Sequence, residues 1–198
     1  MSLKKLTDSI HRKAEQTKWA QLLVSGNMTR EQYTLYLYNQ SHIYAALETE
    51  IHNRRMITDP EMRKIFRVFP ISRDLMGFLN YEDHTFETVK AYREYVKDLD
   101  ESGLWAHMYV RHFGDMYGGQ IISKKAPSKP EIQIVDSDGA EVNSFDNGSP
   151  HFYYEFENKG KLIKFIRSKL DNSMADEATV CFQFAIDLFE ELEQHFDL

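Results

Sequence analysis

Chemistry in this sequence must come from eight histidines, one cysteine and 31 acidic residues spread over 198 positions. The familiar arrangements of such groups are missing. A di-iron carboxylate bundle needs two inward-facing Glu-x-x-His pairs, yet no histidine has Glu three residues before it, and the nearest approach is Asp8 before His11. A His-Glu-x-x-His zinc helix and the common glycine-rich phosphate loops are absent too. His107 and His112, five apart, do not share a helical face and make a poor joint metal site. Two features survive this sorting. One is His11; the other is a group of three glycines around an acid in RHFGDMYGGQ, residues 111–120.

On a helix His11 lies beside the apolar stripe of Leu6, Ile10 and Ala14 rather than opposite it. Glu15, one turn on, is placed to orient the imidazole, a support that metal-bound histidines usually have. Lys4 shares the angular position of His11 two turns earlier, about 10 Å away along the axis, a span one large flat ligand could cover. The same spacing fits a histidine on a solvated helix flank, which is the commoner case. The glycines are harder to dismiss, since each costs on the order of 1 kcal/mol relative to Ala inside a helix. Gly114 and Gly118 share a face at i, i+4, with Gly119 beside them. Either another helix packs closely there or a flat ligand meets bare backbone. Asp115, between the glycines, would hold water and steer protons in an apolar pocket; otherwise it is a solvent-facing acid. Tyr44, Tyr109 and Arg167 are weaker candidates, because most of the 11 tyrosines must serve the core and an arginine can stay solvated. Cys181, in the apolar run CFQFAIDLF, reads as a buried inert thiol.

The elements that must carry these groups are helical. Apolar periodicity predicts a helix over residues 2–24 that closes at Gly26-Asn27. Thr29 and Gln32 form a capping box that opens a long helix through Ile51, stopped by Thr58-Asp59-Pro60. Short helices follow to about Val68 and over Ser72 to Asn80, then longer ones over Thr85 to Leu99 and roughly Leu104 to Lys125. The last two run from about Lys159 to Leu170 and from Ala175 to His195. Residues 127–150, with many Pro, Ser, Asp, Asn and Gly and the turn Asp138-Gly139, read as an irregular surface excursion or small hairpin. The expectation is one all-α domain over residues 1–198.

Composition agrees with that architecture. A hydrophobic share of 42% with 28% charged residues describes a globular chain, not a disordered one. A net charge of −7 argues against nonspecific nucleic-acid binding. The lone cysteine excludes a disulfide framework. No apolar run approaches the roughly 20 residues of a membrane span, and no secretory signal is visible, so a soluble cytoplasmic protein is expected.

The segments LTDSIHRKAEQ, SHIYAALETEI, AHMYVRHFGDMYGGQIISKK, IRSKLDNSM and AIDLFEELEQ together make the chain resemble a heme oxygenase of the soluble, biliverdin-forming kind. The likeness covers nearly the whole length, and GD-x-x-GGQ beside Arg111 is its most specific element. The resemblance implies an all-α fold with heme b between a proximal N-terminal helix and a glycine-kinked distal helix. It makes His11 the axial iron ligand with Glu15 nearby, and puts Lys4, Tyr109 and Arg167 near the heme propionates. Gly114, Gly118 and Gly119 would let the distal helix approach the heme and flex. Asp115 would organise distal water, with Tyr44 and Arg111 in the same network. The implied reaction uses dioxygen and electrons to cleave heme to biliverdin, by family default the IXα isomer, with release of ferrous iron and carbon monoxide.

No flavin or nicotinamide motif is visible, so the electron donor is external. The tail-less form is similar to bacterial, cyanobacterial and plastid-type members, which implies ferredoxin as donor and a bilin reductase downstream. Arg111, Lys124, Lys125 and Lys129 are candidates for a basic docking patch. The sequence departs from the family pattern at Ala185, where animal members carry Asn, and at Ile163, where a lysine is expected. His112 and Tyr117 likewise replace the usual Tyr and Ser. Two rival readings remain: a heme carrier or sensor that keeps the fold without the chemistry, and a thiaminase-type hydrolase acting through Cys181.

Overall fold

The computed structural model describes residues 2–78, 83–130, 132–135, 137–145 and 151–198. Among these, ten α-helices and one two-stranded antiparallel sheet make an all-α fold with a single hairpin. The expected helix over residues 2–24 is three helices: α1 (Leu3–Leu6), α2 (Asp8–Glu15) and α3 (Lys18–Ser25). The first break falls at Thr7, whose buried side chain turns back so that Oγ1 donates to the Leu3 carbonyl at 3.1 Å. The second falls at Thr17, which accepts from the Ala20 N–H at 3.2 Å as a fresh N-cap. Lys4 and His11 therefore sit on different helices, and the straight-axis spacing between them does not hold. Gly26 closes α3 in the left-handed region at φ +84°, where a side chain would be strained.

The long α4 (Arg30–Asn53) starts at the expected Thr29/Gln32 capping box. A 3-10 turn over Met62–Ile65 precedes α5 (Val68–Met76), which contains Pro70 instead of following it. In the first turn a missing N–H costs nothing, so proline is tolerated there. The expected end of that helix at Asn80 lies outside the described residues. Next comes α6 (Glu87–Tyr95), whose first turn gains a tertiary partner when the Thr88 N–H donates to Glu191 at 3.1 Å. It ends before Leu99 because the Arg54 guanidinium takes the carbonyls of Lys97 and Leu99. Helix α7 (Glu101–Tyr117) begins three residues earlier than expected, since Asp100 caps it by accepting from the Gly103 N–H at 2.7 Å. Gly118 interrupts the run, and α8 (Gly119–Ile122) completes it. Strands β1 (Ile132–Val135) and β2 (Glu141–Phe145) pair with a register shift that leaves Val142 over, and Gly139 turns between them at φ +81°. Residues 146–150 of the excursion lie outside the described residues. Helices α9 (Lys159–Arg167) and α10 (Ala175–His195) close the chain.

Helix α4 packs against α5, α6 and α7, while α10 packs against α2, α3, α6 and α7. One apolar cluster gathers Trp19, Tyr33, Leu37, Val89 and Leu192; the other gathers Leu47, Ile51, Leu104, Met108 and Ile166. Each such aliphatic side chain, once buried, stabilises the fold by about 1.5–3 kcal/mol. Helix α10 contributes Leu188 and Leu192 to the first cluster and Ala178 and Cys181 to the second. It is the common floor that fixes α2 relative to α7, the two helices carrying the singled-out residues. Among the described residues, no helix is long and apolar enough to cross a membrane.

The excursion is tied to α5 at both ends by one buried acid. Asp74 pairs with the fully buried Lys129 ammonium at 2.8 Å before the hairpin. After it, Asp74 accepts the main-chain N–H groups of Phe152 at 3.0 Å and Tyr153 at 2.8 Å. A buried charge is tolerable only when paired and hydrogen-bonded in this way.

Candidate active site

Asp115 sits half-buried on α7, and each carboxylate oxygen receives one tyrosine hydroxyl. Tyr44, from the middle of α4, donates to Oδ2; Tyr153, from a 3-10 turn over Phe152–Tyr154, donates to Oδ1 at 3.1 Å. Burial pushes the Asp115 carboxyl up to about 6, while the two tyrosine bonds and the charges of Arg67 and Arg111 hold it from rising further. Burial also drives both phenols well above their ordinary value, so they remain neutral donors. The His112 ring stands edge-on to Tyr44 at 5.2 Å, with Nδ1 3.1 Å from the Met108 carbonyl. Burial lowers that imidazole to about 3, making it an uncharged wedge behind the clamp.

Beside the acid, Gly114 is exposed, and a Cβ built there would meet nothing within 4 Å. This is bare helix backbone facing open space. Gly118 has a local role: its N–H donates to the Gly114 carbonyl at 2.7 Å, and a Cβ would lie 3.1 Å from that same oxygen. Farther along the α7 face the Tyr109 and Phe113 rings are 5.1 Å apart, and those of Phe113 and Tyr117 are 5.9 Å apart. Arg167 donates to the Tyr117 hydroxyl at 3.3 Å, and the Lys159 ammonium lies 5.2 Å from the Tyr117 ring. An aromatic strip thus ends in a basic rim.

On α2 the His11 side chain is 49% exposed, with Nδ1 3.6 Å from the Glu15 carboxylate. Its Nε2 meets no hydrogen-bond partner among the described residues, and its ring stands edge-on to Phe182 of α10 at 5.5 Å. The two histidines of α7 are otherwise engaged: His112 as above, and His107 between the Tyr92 hydroxyl at 3.0 Å and Glu177 at 2.8 Å. Lys4 is exposed on α1, which packs on the 3-10 turn Asn172–Met174 that follows α9. The donor set suits a flat ligand with a central metal and an acidic edge. It offers one accessible imidazole backed by a carboxylate, bare backbone at Gly114, and cations at the end of an aromatic strip.

A sequence model of the heme oxygenase family matches residues 1–191. The chain belongs to the heme oxygenase family. Among its relatives, heme oxygenase 1 of Pongo abelii is 28% identical over 218 residues, covering 98% of this chain and 71% of the relative. The heme oxygenase of Rhodella violacea is 23% identical, covering 99% of this chain and 87% of its own. In fold, the chain is similar to heme oxygenase-1 of the cyanobacterium Synechocystis, solved in complex with heme. That match has a TM-score of 0.75 and 23% identity, covering 98% of this chain and 91% of that one. The heme oxygenase of Leptospira interrogans gives the same TM-score at 20% identity, covering 96% of this chain and 100% of its own.

Within this heme oxygenase fold, the structure brings Asp115, Tyr44 and Gly114 together and puts Tyr109 and Arg167 on the aromatic strip and its rim. Two expectations need correction, and a third becomes more specific. Gly119 does not present bare backbone to a ligand: it is buried, and a Cβ there would overlap the Tyr154 ring, so packing alone demands glycine. Gly119→Ala is accordingly expected to lose about 1–3 kcal/mol, the range for overpacking, measurable by urea unfolding of the heme-free protein. Arg111 acts on Asp115 through its charge and not through a direct hydrogen bond; it is buried with its guanidinium 5.0 Å from the Tyr92 ring and beside Cys181. Of the four cations expected to form a docking patch, Arg111 and Lys129 are buried, which leaves only Lys124 and Lys125 exposed.

Cys181 itself has no exposed surface. Burial alone would raise its thiol, but the charges of His107 and Arg111 outweigh that and hold it below its ordinary value. An activated thiol without access suits a core network, not a hydrolase nucleophile. Tyr153 is the hydroxyl at this site that sequence reading did not single out. Its only signal was the aromatic pair Tyr153-Tyr154 after a polar stretch, and nothing in that pair says which ring faces the acid.

Proposed function

We propose that the protein binds heme b as its substrate through His11 and cleaves it with dioxygen to biliverdin, ferrous iron and carbon monoxide. Family membership supports the reaction class, and the heme held by the Synechocystis relative supports the ligand. The observation that carries the reading is the open face at Gly114 beside a doubly clamped, half-buried acid that titrates near 6. Bound heme supplies the iron that activates dioxygen and the macrocycle that is opened. Everything else falls to the chain. His11 binds through Nε2, with Glu15 orienting the ring from behind. Gly114 lets α7 lie close to the macrocycle, and Gly118 gives that helix its break. Asp115, held by Tyr44 and biased by the Arg111 charge, holds water and passes a proton to the distal side. Lys4, Tyr109 and Arg167 anchor the propionates and so fix the rotation of the ring, on which the IXα isomer depends. Gly119 contributes indirectly, by letting Tyr154 close behind the helix break.

Electrons come from an external donor, with ferredoxin as the proposed partner in the cytoplasm and a bilin reductase as consumer of the product. The test is turnover of the hemin complex with ferredoxin, its reductase and NADPH, followed by chromatography of the bilin. Biliverdin IXα is expected. Another isomer would overturn the proposed ring anchoring; bilin formed with ascorbate but never with ferredoxin would remove ferredoxin as donor. The carrier reading would be favoured by a stable complex that yields no bilin with either.

A further inference from the structure

The hydrogen bonds that tie the segment bearing Tyr153 to the rest of the fold run mostly through its main chain, while the Tyr153 and Tyr154 rings are buried in the core. Asp74 accepts the N–H groups of Phe152 and Tyr153. Arg67 donates to the carbonyls of Tyr153 at 3.3 Å and Glu155 at 2.6 Å, and Gln120 donates to the Tyr154 carbonyl at 2.9 Å. Tyr154 closes the arrangement by seating its ring on Gly119. Asp74, Arg67 and Gln120 thus converge on four consecutive residues, Phe152 to Glu155, and the hydroxyl they hold against the acid of the site is that of Tyr153, on Asp115 Oδ1. A buried ion pair is an expensive way to hold a loop. Its geometric result here is to fix one phenol against the acid of the site.

We propose that Tyr153 is a positioning residue for Asp115, held in register by the buried Asp74–Lys129 pair, and that it sets the proton affinity of that acid. This rests on the reading of Asp115 as the distal acid. The groups that act on Asp115 are Tyr44 from α4, Tyr153 from the strap, Arg67 from the turn before α5, and Arg111 from α7 itself. Tyr33, Tyr36 and Tyr154 feel its charge without bonding to it. Of these, Tyr44 is fixed by the long central helix, whereas Tyr153 is fixed by a strap anchored outside α4 and α7. A hydrogen bond donated to a carboxylate favours its ionised form, so the strap holds the acid below where burial alone would leave it.

The test is the titration of Asp115 in the heme-free protein, followed by carbon-13 NMR of carboxyl-labelled aspartate with Asp115→Asn as the assignment control. No heme is involved, so failure of the heme reading would leave the result interpretable. Tyr153→Phe removes only the hydroxyl and keeps every main-chain anchor; it is expected to raise the Asp115 titration by about one pH unit, a tenfold shift. An unmoved titration would overturn the proposal. Asp74→Asn then tests the strap by sign. Removing a negative charge should by itself lower the titration of a nearby acid, whereas loosening Tyr153 should raise it. A rise that vanishes in the Tyr153→Phe background supports the strap; a fall, or a rise that persists there, overturns it. Should Asp74→Asn fail to fold, Lys129→Met decides: it also raises the titration by removing a cation, and only a strap makes that rise smaller once Tyr153 is Phe.

Discussion

Replacing His11 with alanine is expected to abolish the sharp Soret band of the hemin complex while leaving the folded protein unchanged. The side chain is half-exposed and packs only its edge against Phe182, so its removal costs no more than about 0.5 kcal/mol, as for most surface substitutions. The loss of an iron–nitrogen bond is a different matter. Removing a group that merely supports a metal ligand weakens binding by about 10–100-fold, and removing the ligand itself is expected to cost at least that. Circular dichroism and urea unfolding check the fold, and a hemin titration followed in the visible spectrum checks the affinity. A His11→Ala protein that keeps both the band and the affinity would move the iron to another residue. His107 and His112 are poor substitutes, because both are buried and hydrogen-bonded.

The second large effect is expected at Asp115. Asp115→Asn keeps the size of the side chain, so hemin should still bind, but the variant cannot exchange a proton near neutral pH. A positioned acid or base contributes about 10²–10⁴-fold to a rate, and bilin formation is expected to fall within that range under single-turnover conditions. The same substitution has a stability signature of opposite sign. In the folded protein the acid titrates near 6, above its ordinary 3.8. Between those values the folded chain keeps a proton that the unfolded chain has released. Stability from this group is therefore lost as pH rises through the window, and the full cost applies above about pH 6. Neutral asparagine escapes that cost. With lost tyrosine bonds and partial solvent contact discounted, Asp115→Asn should gain about 1–2 kcal/mol at pH 7, fading to nothing below about pH 4. Equal stability of the two proteins across that range would show that Asp115 is not strained by its surroundings.

Local signals in the sequence located what they could locate. The Thr29/Gln32 box is complete within four residues, and α4 starts there. The stripe of α10 runs uninterrupted, and its bounds match expectation. Where an element ends on a distant partner, the sequence could not say so. Helix α6 stops early because Arg54, some 45 positions away, takes the Leu99 carbonyl. The break at Thr7 depends on one hydroxyl turning back onto the Leu3 carbonyl, a choice that periodicity does not register. The glycines show the same divide. In sequence Gly114 and Gly119 look equally expensive, yet one faces open space and the other accommodates Tyr154. Lys129 reads as a surface cation in a polar stretch, but Asp74 draws it fully into the interior. Asp115 and Tyr44 were legible through a resemblance and a motif; Tyr153 became visible only once a strap anchored on α5 was seen to end on the acid.

The proposed reaction destroys the heme that the chain binds. The direct measurement is gas and product release from a single turnover: hemin bound in equimolar amount, a chemical reductant added in air, and catalase present to remove free peroxide. The expected result is one equivalent each of carbon monoxide and chelatable ferrous iron per heme, with the Soret band replaced by bilin absorption. A Soret band that survives reduction in air, with no carbon monoxide released, would contradict it and leave a heme-binding protein without the reaction.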